Sequence, residues 1–481
     1  MKGLTSFALC LLLHIISFAQ RANIHVSLAH STPATLDLII FARTLTYDVF
    51  KKGSFTIPVN KQGSASHSIS LNEPLVATLI VSHFDSAGGM LSYALYVSPG
   101  DDLHLTIDPL SKGSRVTVSG RGSDNNSPDI ISFQFYRDLS PYSGDTLPYR
   151  VMEAIRQQRR SNDSAAKAFL STHHPTKDRI HNLQNECAYF ALQNYYRFKE
   201  NNKYAIREAY QRNLPQWQAI QDSLFATIRL NNDSALSSNC YRELLRDFLQ
   251  REKERLWQPG ADHNLLREKI IQRSFTGRTA EYLYAVLFEE AINSGEPRNI
   301  VKIFEHFSKT YSQSEYISWI KPYIDTIRDR QKQTLTDKMI FVKDDGQMLS
   351  SFTEVLNLFK GRTVLLDMWG TWCAPCRKEI EANSQAIKSY FAGKSLDYLY
   401  IANYDRGNDV KWKELIAYFH LEGTHILANG NLTNDIMKKV NGSGFPTYVI
   451  IKKDGSYELS KAGYPMDRQK LVQQLETALG Q

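Results

Sequence analysis

Cysteine is scarce in this chain, with five among 481 residues, too few for the dense stapling of a small disulfide scaffold. There is one Cys-x-x-Cys and no second, which argues against a structural zinc site built from two such pairs. Beyond residue 19 no apolar run is long enough to span a membrane. Basic residues do not gather into blocks. "RQQRR" and "REKER" are flanked by polar or acidic neighbours, so they read as solvated helix faces and point to no nucleic-acid partner. No repeat of fixed period is present, which removes solenoids and propellers. "GRG" at Gly120–Gly122 is too short to cradle a phosphate, and "NGSGF" lacks the order of a serine nucleophile elbow.

What is there reads as globular protein. Hydrophobic residues make up 42% and charged residues 22%, with a formal charge of +7. The length suits roughly two to four folding units. Met1-Lys2 followed by "LTSFALCLLLHIISFA", with small residues at Ser17 and Ala19, predicts a signal peptide over residues 1–19, cleaved before Gln20. An uncleaved anchor is the alternative, but the run falls short of the ~20 residues a spanning helix needs. Leu11–Leu13 and Ile15-Ile16 carry the apolar run past Cys10, so Cys10 belongs to the discarded segment rather than to a lipid anchor. The mature chain is expected in the periplasm or cell envelope, with no transmembrane segment.

Three regions follow. Residues 20–124 read as strands such as "TLDLIIFA" and "LVATLIVS", separated by turn residues, and predict an antiparallel β-sandwich. Residues 125–335 switch to apolar spacings of three and four, predicting an all-α region of roughly eight helices. Residues 336–481 alternate strand and helix, the pattern of an α/β layer sheet. Cys187 and Cys240 lie on helical apolar stripes and are expected as buried small hydrophobes rather than a mutual disulfide.

The chemistry is carried by "DMWGTWCAPCRKEI", Asp367 to Ile380. Its cysteine pair has three readings: a permanent staple, half of a metal site, or a reversible redox centre. A buried strand, "RTVLLDM", runs into Cys373 at a helix start, where free backbone N–H groups and the helix dipole favour an anion. That placement acidifies Cys373 and makes it the attacking sulfur. Pro375 suits the first turn, and Cys376, one turn inside, can displace a mixed disulfide on Cys373. Redox chemistry is the favoured reading, with no cofactor and no metal.

"DMWGTWCAPC" resembles the thioredoxin active site, and the wider pattern with "GFPTYVIIKKDG" resembles the exported TlpA/ResA branch of thioredoxin-fold oxidoreductases over residues 339–479. The regions before it resemble, more weakly, extensions on such reductases in Bacteroidetes-type bacteria. The resemblance implies a C-terminal thioredoxin fold and a protein disulfide reductase. It implies a cis Pro446 that leaves adjoining backbone free for a substrate strand, with Phe445 and Thr447 beside it. Trp372 would cover the rim, Trp369 pack beneath, and Ala374 stand where glycine is usual. Asp367 matches the buried carboxylate that takes the Cys376 proton, although "YLYIANYD" lacks the family's lysine partner, and ResA-type proteins use a glutamate elsewhere. Implied partners are disulfide-containing exported proteins and an upstream thiol electron donor. Two other readings stand beside this one: a redoxin-type thiol peroxidase, and a surface binding protein whose large N-terminal part is primary.

Overall fold

The structure, a computed structural model, describes residues 20–29, 35–40, 53–83, 89–111, 115–133, 135, 137–258 and 260–480. The expected signal peptide, with Cys10, lies outside the described residues. No helix among the described residues is long and apolar enough to cross a membrane. The chain separates into two compact units, Met1–Pro259 with Lys269–Leu283, and Gly260–Glu268 with Tyr284–Gln481.

Among the described residues the first unit opens with eight strands: β1 (Gln20–Leu28), β2 (Thr35–Ile40), β3 (Ser54–Ile57), β4 (Ser64–Leu71), β5 (Leu75–Ser82), β6 (Met90–Val97), β7 (Asp102–Asp108) and β8 (Arg115–Arg121). They form two four-stranded sheets, ordered β4-β1-β7-β8 and β3-β2-β5-β6. Period-two alternation decides their faces. In β1, Ala22, Ile24, Val26 and Leu28 turn inward while Asn23, His25 and Ser27 stay at least partly exposed. Inner residues of both sheets, Ile24 and Leu105 from one and Leu38 and Leu79 from the other, join a single apolar cluster. One pairing departs from the antiparallel expectation: β1 runs parallel to β7. A parallel neighbour needs a long crossover, and the strands between β1 and β7 supply it.

Helices follow: α1 (Pro128–Ser132), α2 (Pro148–Thr172), α3 (Lys177–Arg212), α4 (Leu214–Phe225), α5 (Asn239–Leu256), α6 (His263–Ser274), α7 (Gly277–Ser294), α8 (Ile300–Thr310) and α9 (Glu315–Arg330). Among the described residues that is one more than the expected eight, the addition being the five-residue α1, too short to show a period; the Ser127 hydroxyl caps it by accepting from Ile130 N–H. Cys187 and Cys240 are free thiols, the first partly buried and the second fully.

The second unit ends in a six-stranded sheet of order β14-β13-β10-β11-β12-β9. Its elements are β9 (Met339–Phe341), α10 (Phe352–Leu358), β10 (Thr363–Trp369), α11 (Ala374–Glu379), α12 (Gln385–Tyr390), β11 (Leu396–Ala402), α13 (Asp409–Tyr418), β12 (Gly423–Leu427), α14 (Gly430–Val440), β13 (Thr447–Ile451), β14 (Tyr457–Leu459) and α15 (Arg468–Gly480). β10 is buried along its whole length, as a central strand covered on both faces must be. Val364, Leu366 and Met368 face α10 and α14, whereas Leu365 faces α12 and α15. Alternation puts Asp367 on that second face, where an apolar residue would be ordinary. Between α11 and α12 the helical stretch is interrupted by a π-turn at Ile380–Ser384.

Candidate functional site

The site sits where β10 ends and α11 begins, at the carboxyl edge of the sheet, the usual place for a ligand in open α/β sheets. Cys373 caps α11, and its Sγ accepts a hydrogen bond from Cys376 N–H at 3.2 Å. The two sulfurs form a disulfide, so the structure shows the oxidised state. Cys376 is fully buried and Cys373 is 3% exposed, so what little of the pair reaches the surface belongs to Cys373. Ala374 and Pro375 fill the first turn, where the missing N–H of Pro375 leaves no carbonyl unpaired.

The loop before Cys373 is held by groups on the β11–α13 connection. Asn403 N–H and Nδ2 both donate to Trp369 carbonyl, at 2.8 and 3.0 Å. Trp372 Nε1 donates to Asn403 carbonyl at 2.8 Å. Asp405, wholly buried, accepts from Thr371 N–H at 2.7 Å and from the Thr371 hydroxyl at 2.5 Å. Burial raises the Asp405 carboxyl, while the Thr371 hydrogen bonds pull it back. Gly370 is required by crowding: a Cβ there would meet Trp372 Nε1 at 2.6 Å. Behind the cysteines, the Arg377 guanidinium donates to Ser294 carbonyl, at 3.0 and 2.8 Å, and to Thr371 carbonyl. One buried arginine therefore ties the active-site helix to the C-terminus of α7, where a cation suits the helix dipole.

Three aromatic rings stand beside the disulfide. Trp372, half-exposed, meets Phe445 at 5.9 Å and Tyr404 at 6.3 Å, and those two lie 6.2 Å apart. The Phe445–Pro446 peptide is cis. Thr447 pairs with Met368 of β10, so Pro446 lies beside the strand end that leads to the cysteines. Trp369 is fully buried beneath.

Asp367 lies behind the pair on β10, facing Tyr400 of β11 and Tyr448 of β13 in register. Tyrosine thus occupies the strand position next to it where the resemblance would have placed lysine. Burial, and secondarily the negative charge of Glu379, push the Asp367 carboxyl up to about 8. Its Oδ1 has no hydrogen-bond partner among the described residues. The Asp367 side chain helps line a cavity of about 20 Å³ together with Glu379, Asn383 and Tyr400, room for one water molecule. Glu379 accepts from Asn383 Nδ2 at 2.7 Å and from Met466 N–H at 3.3 Å. The π-turn between them is the local irregularity that sets this corner.

Sequence reading did not single out Glu379, Asp405, Arg377 or Tyr404. For Glu379 a signal was present, because it follows Cys376 by three residues and a helix puts such positions on one face. Nothing local marks Asp405, which acts across 34 residues.

The match to known proteins falls on the same stretch. Residues 361–457 match the Thioredoxin-like family. The thiol-disulfide oxidoreductase ResA of Bacillus thuringiensis is 31% identical over 97 residues, which is 20% of this chain and 53% of that protein. The thioredoxin-like protein YneN of Bacillus subtilis is 35% identical over 65 residues, 12% of this chain and 38% of that one. The chain thus spans about half the length of these curated relatives or less. Among solved structures, the thioredoxin domain of a Bacteroides vulgatus thiol-disulfide oxidoreductase is 23% identical, covers 25% of this chain and 82% of that one, and gives a TM-score of 0.22. The C-terminal part of the chain is a thioredoxin-like domain similar to the ResA thiol-disulfide oxidoreductases.

Proposed function

We propose that this protein is an exported, periplasmic reductase of protein disulfides, of the TlpA/ResA type found in Bacteroidetes, working by dithiol–disulfide exchange. The observation that carries this reading is Cys373 at the cap of α11, its sulfur already receiving an N–H from the helix it begins. Such a sulfur holds negative charge more readily than a free thiol.

In the reduced enzyme the Cys373 thiolate attacks one sulfur of a substrate disulfide. A bond forms between Cys373 and that sulfur, and the other substrate sulfur leaves as a thiolate that takes a proton from solvent. Cys376 then loses its proton toward Asp367 and attacks Cys373 Sγ. The intramolecular disulfide forms, the second substrate thiol is released, and two electrons have passed to the substrate. Asp367 accepts that proton in its ionised form, which a carboxyl pushed up to about 8 still visits near neutrality, and passes it on past Glu379, which lines the same small cavity. An upstream thiol donor restores the dithiol. Trp372, Tyr404 and Phe445 form the apolar platform on which the substrate chain lies, against the backbone around Pro446.

Insulin-disulfide reduction tests the reading. The wild-type dithiol should turn insulin over and Cys373→Ser should not. Cys376→Ser should accumulate a covalent adduct with substrate through Cys373. Absence of turnover by the wild-type protein, together with rapid peroxide consumption by its dithiol form, would favour a thiol peroxidase instead.

A further inference from the structure

The outer face of the β4-β1-β7-β8 sheet carries a cluster that the thiol chemistry does not use. His25 of β1 and His104 of β7 are partners in the parallel ladder. Asp102, two residues before His104, shares its face. His25 Nε2 lies 3.1 Å from Asp102 Oδ1, and His104 Nε2 lies 3.6 Å from Asp102 Oδ2. The imidazoles stack at 4.6 Å with planes 13° apart, so both Nε2 atoms converge on one carboxylate. A ligand atom from each of the three residues falls within 4.8 Å of the others.

That spacing suits a metal ion. Bonds of ~2.0–2.1 Å place tetrahedral ligand atoms roughly 3.3 Å apart, close to the two histidine–aspartate separations of 3.1 and 3.6 Å. The ladder holds the two histidines side by side through backbone bonds, so little ordering is needed on binding. Neighbours in register on either side, Ser66 beside His25 and Ser119 beside His104, are small and exposed, leaving the approach open. Arg121 pairs with Asp102 across β7 and β8, and its charge opposes a cation there. Coordination by imidazole nitrogen, rather than net negative charge, must therefore carry the affinity. Such a donor set selects zinc, copper(II) or nickel over magnesium or calcium. The geometry points to a mononuclear site for a divalent transition-metal ion, held by His25 Nε2, His104 Nε2 and the Asp102 carboxylate, with water completing the shell.

The test uses the full mature chain without an affinity tag, in its oxidised form, so that Cys373 and Cys376 are bridged and cannot act as ligands. Calorimetric titration with zinc should give one ion per chain. His25→Ala and His104→Ala should each weaken binding about tenfold or more, the double variant should abolish it, and Asp102→Asn should cost less. Copper(II) bound to the wild-type chain should show electron-spin coupling to two imidazole nitrogens, a readout that needs no variant to fold. No saturable zinc binding by the wild type, equal affinity in a folded double variant, or a copper spectrum without nitrogen coupling would each overturn the site.

Discussion

Among the described residues two cysteines stand at helix starts, and their surroundings point them in opposite directions. Cys373 caps α11, and its sulfur is the acceptor for the N–H one turn along. Cys240 is the second residue of α5, but the N–H groups there are already taken. The Glu186 carboxylate accepts from Asn239 N–H at 2.6 Å and from Cys240 N–H at 3.1 Å. Burial first, and then the Glu186 charge, raise the Cys240 thiol well above the ordinary value. Cys187, on α3, is raised to about 12, mainly by burial and then by Asp163. A helix start therefore acidifies a thiol only when its donors are free to face the sulfur and no carboxylate has claimed them.

The largest effect expected from this contrast is on reactivity. In the reduced native protein, iodoacetamide should label Cys373 faster than Cys240 by on the order of 100-fold, read by mass spectrometry of timed quenches. Cys373→Ser should abolish insulin reduction, while Cys240→Ser should leave its rate within about twofold. Comparable labelling of the two would erase the distinction.

Next comes Asp367. Its folded pKa of about 8 lies above its ordinary value of 3.8. Between those values the folded chain holds a proton that the unfolded chain has lost, so this residue costs stability as pH rises through that window. Asp367→Asn should raise unfolding stability by on the order of 2–4 kcal/mol above pH 8 and change little near pH 4, measured by denaturant titration at both. The same variant should slow release from the mixed disulfide roughly 10–100-fold in stopped-flow. A gain in stability at low pH instead would contradict the buried, protonated carboxyl.

A smaller effect belongs to Asp405. Asp405→Ala leaves the Thr371 N–H without its acceptor and should cost about 1–3 kcal/mol, seen in thermal unfolding of the oxidised form. The smallest concerns Tyr404. Tyr404→Ala should raise KM for insulin about threefold while leaving turnover of a small aromatic disulfide unchanged. Equal losses on both substrates would make Tyr404 a support of the loop rather than part of the platform.

How far the site could be read from the chain follows from the range of each interaction. The "RTVLLDM" strand, the cysteine spacing and Pro375 are local, and the structure places β10 and α11 accordingly. The spacing of Glu379 from Cys376 hints at a shared face, but "RKEI" equally suits the charged face of an ordinary helix, and the fold turns Glu379 inward. The π-turn has no composition signal, since Ile380–Ser384 suits a regular helix equally well. His25 and His104 are far apart in sequence, and only an unforeseen parallel pairing puts them together. In the β-rich region, alternation marked stretches such as "LVATLIVS", which is β5, but did not single out β1, β3 or β8 and said nothing of strand order, because each strand has several equally apolar edges to choose from.

The most direct test is a pH titration of thiolate absorbance in the reduced protein, with Cys373→Ser and Cys240→Ser alongside. One thiol should ionise well below the ~8.5 of free cysteine, and that early step should vanish in Cys373→Ser and persist in Cys240→Ser. Ionisation of every thiol at or above that value would contradict the account.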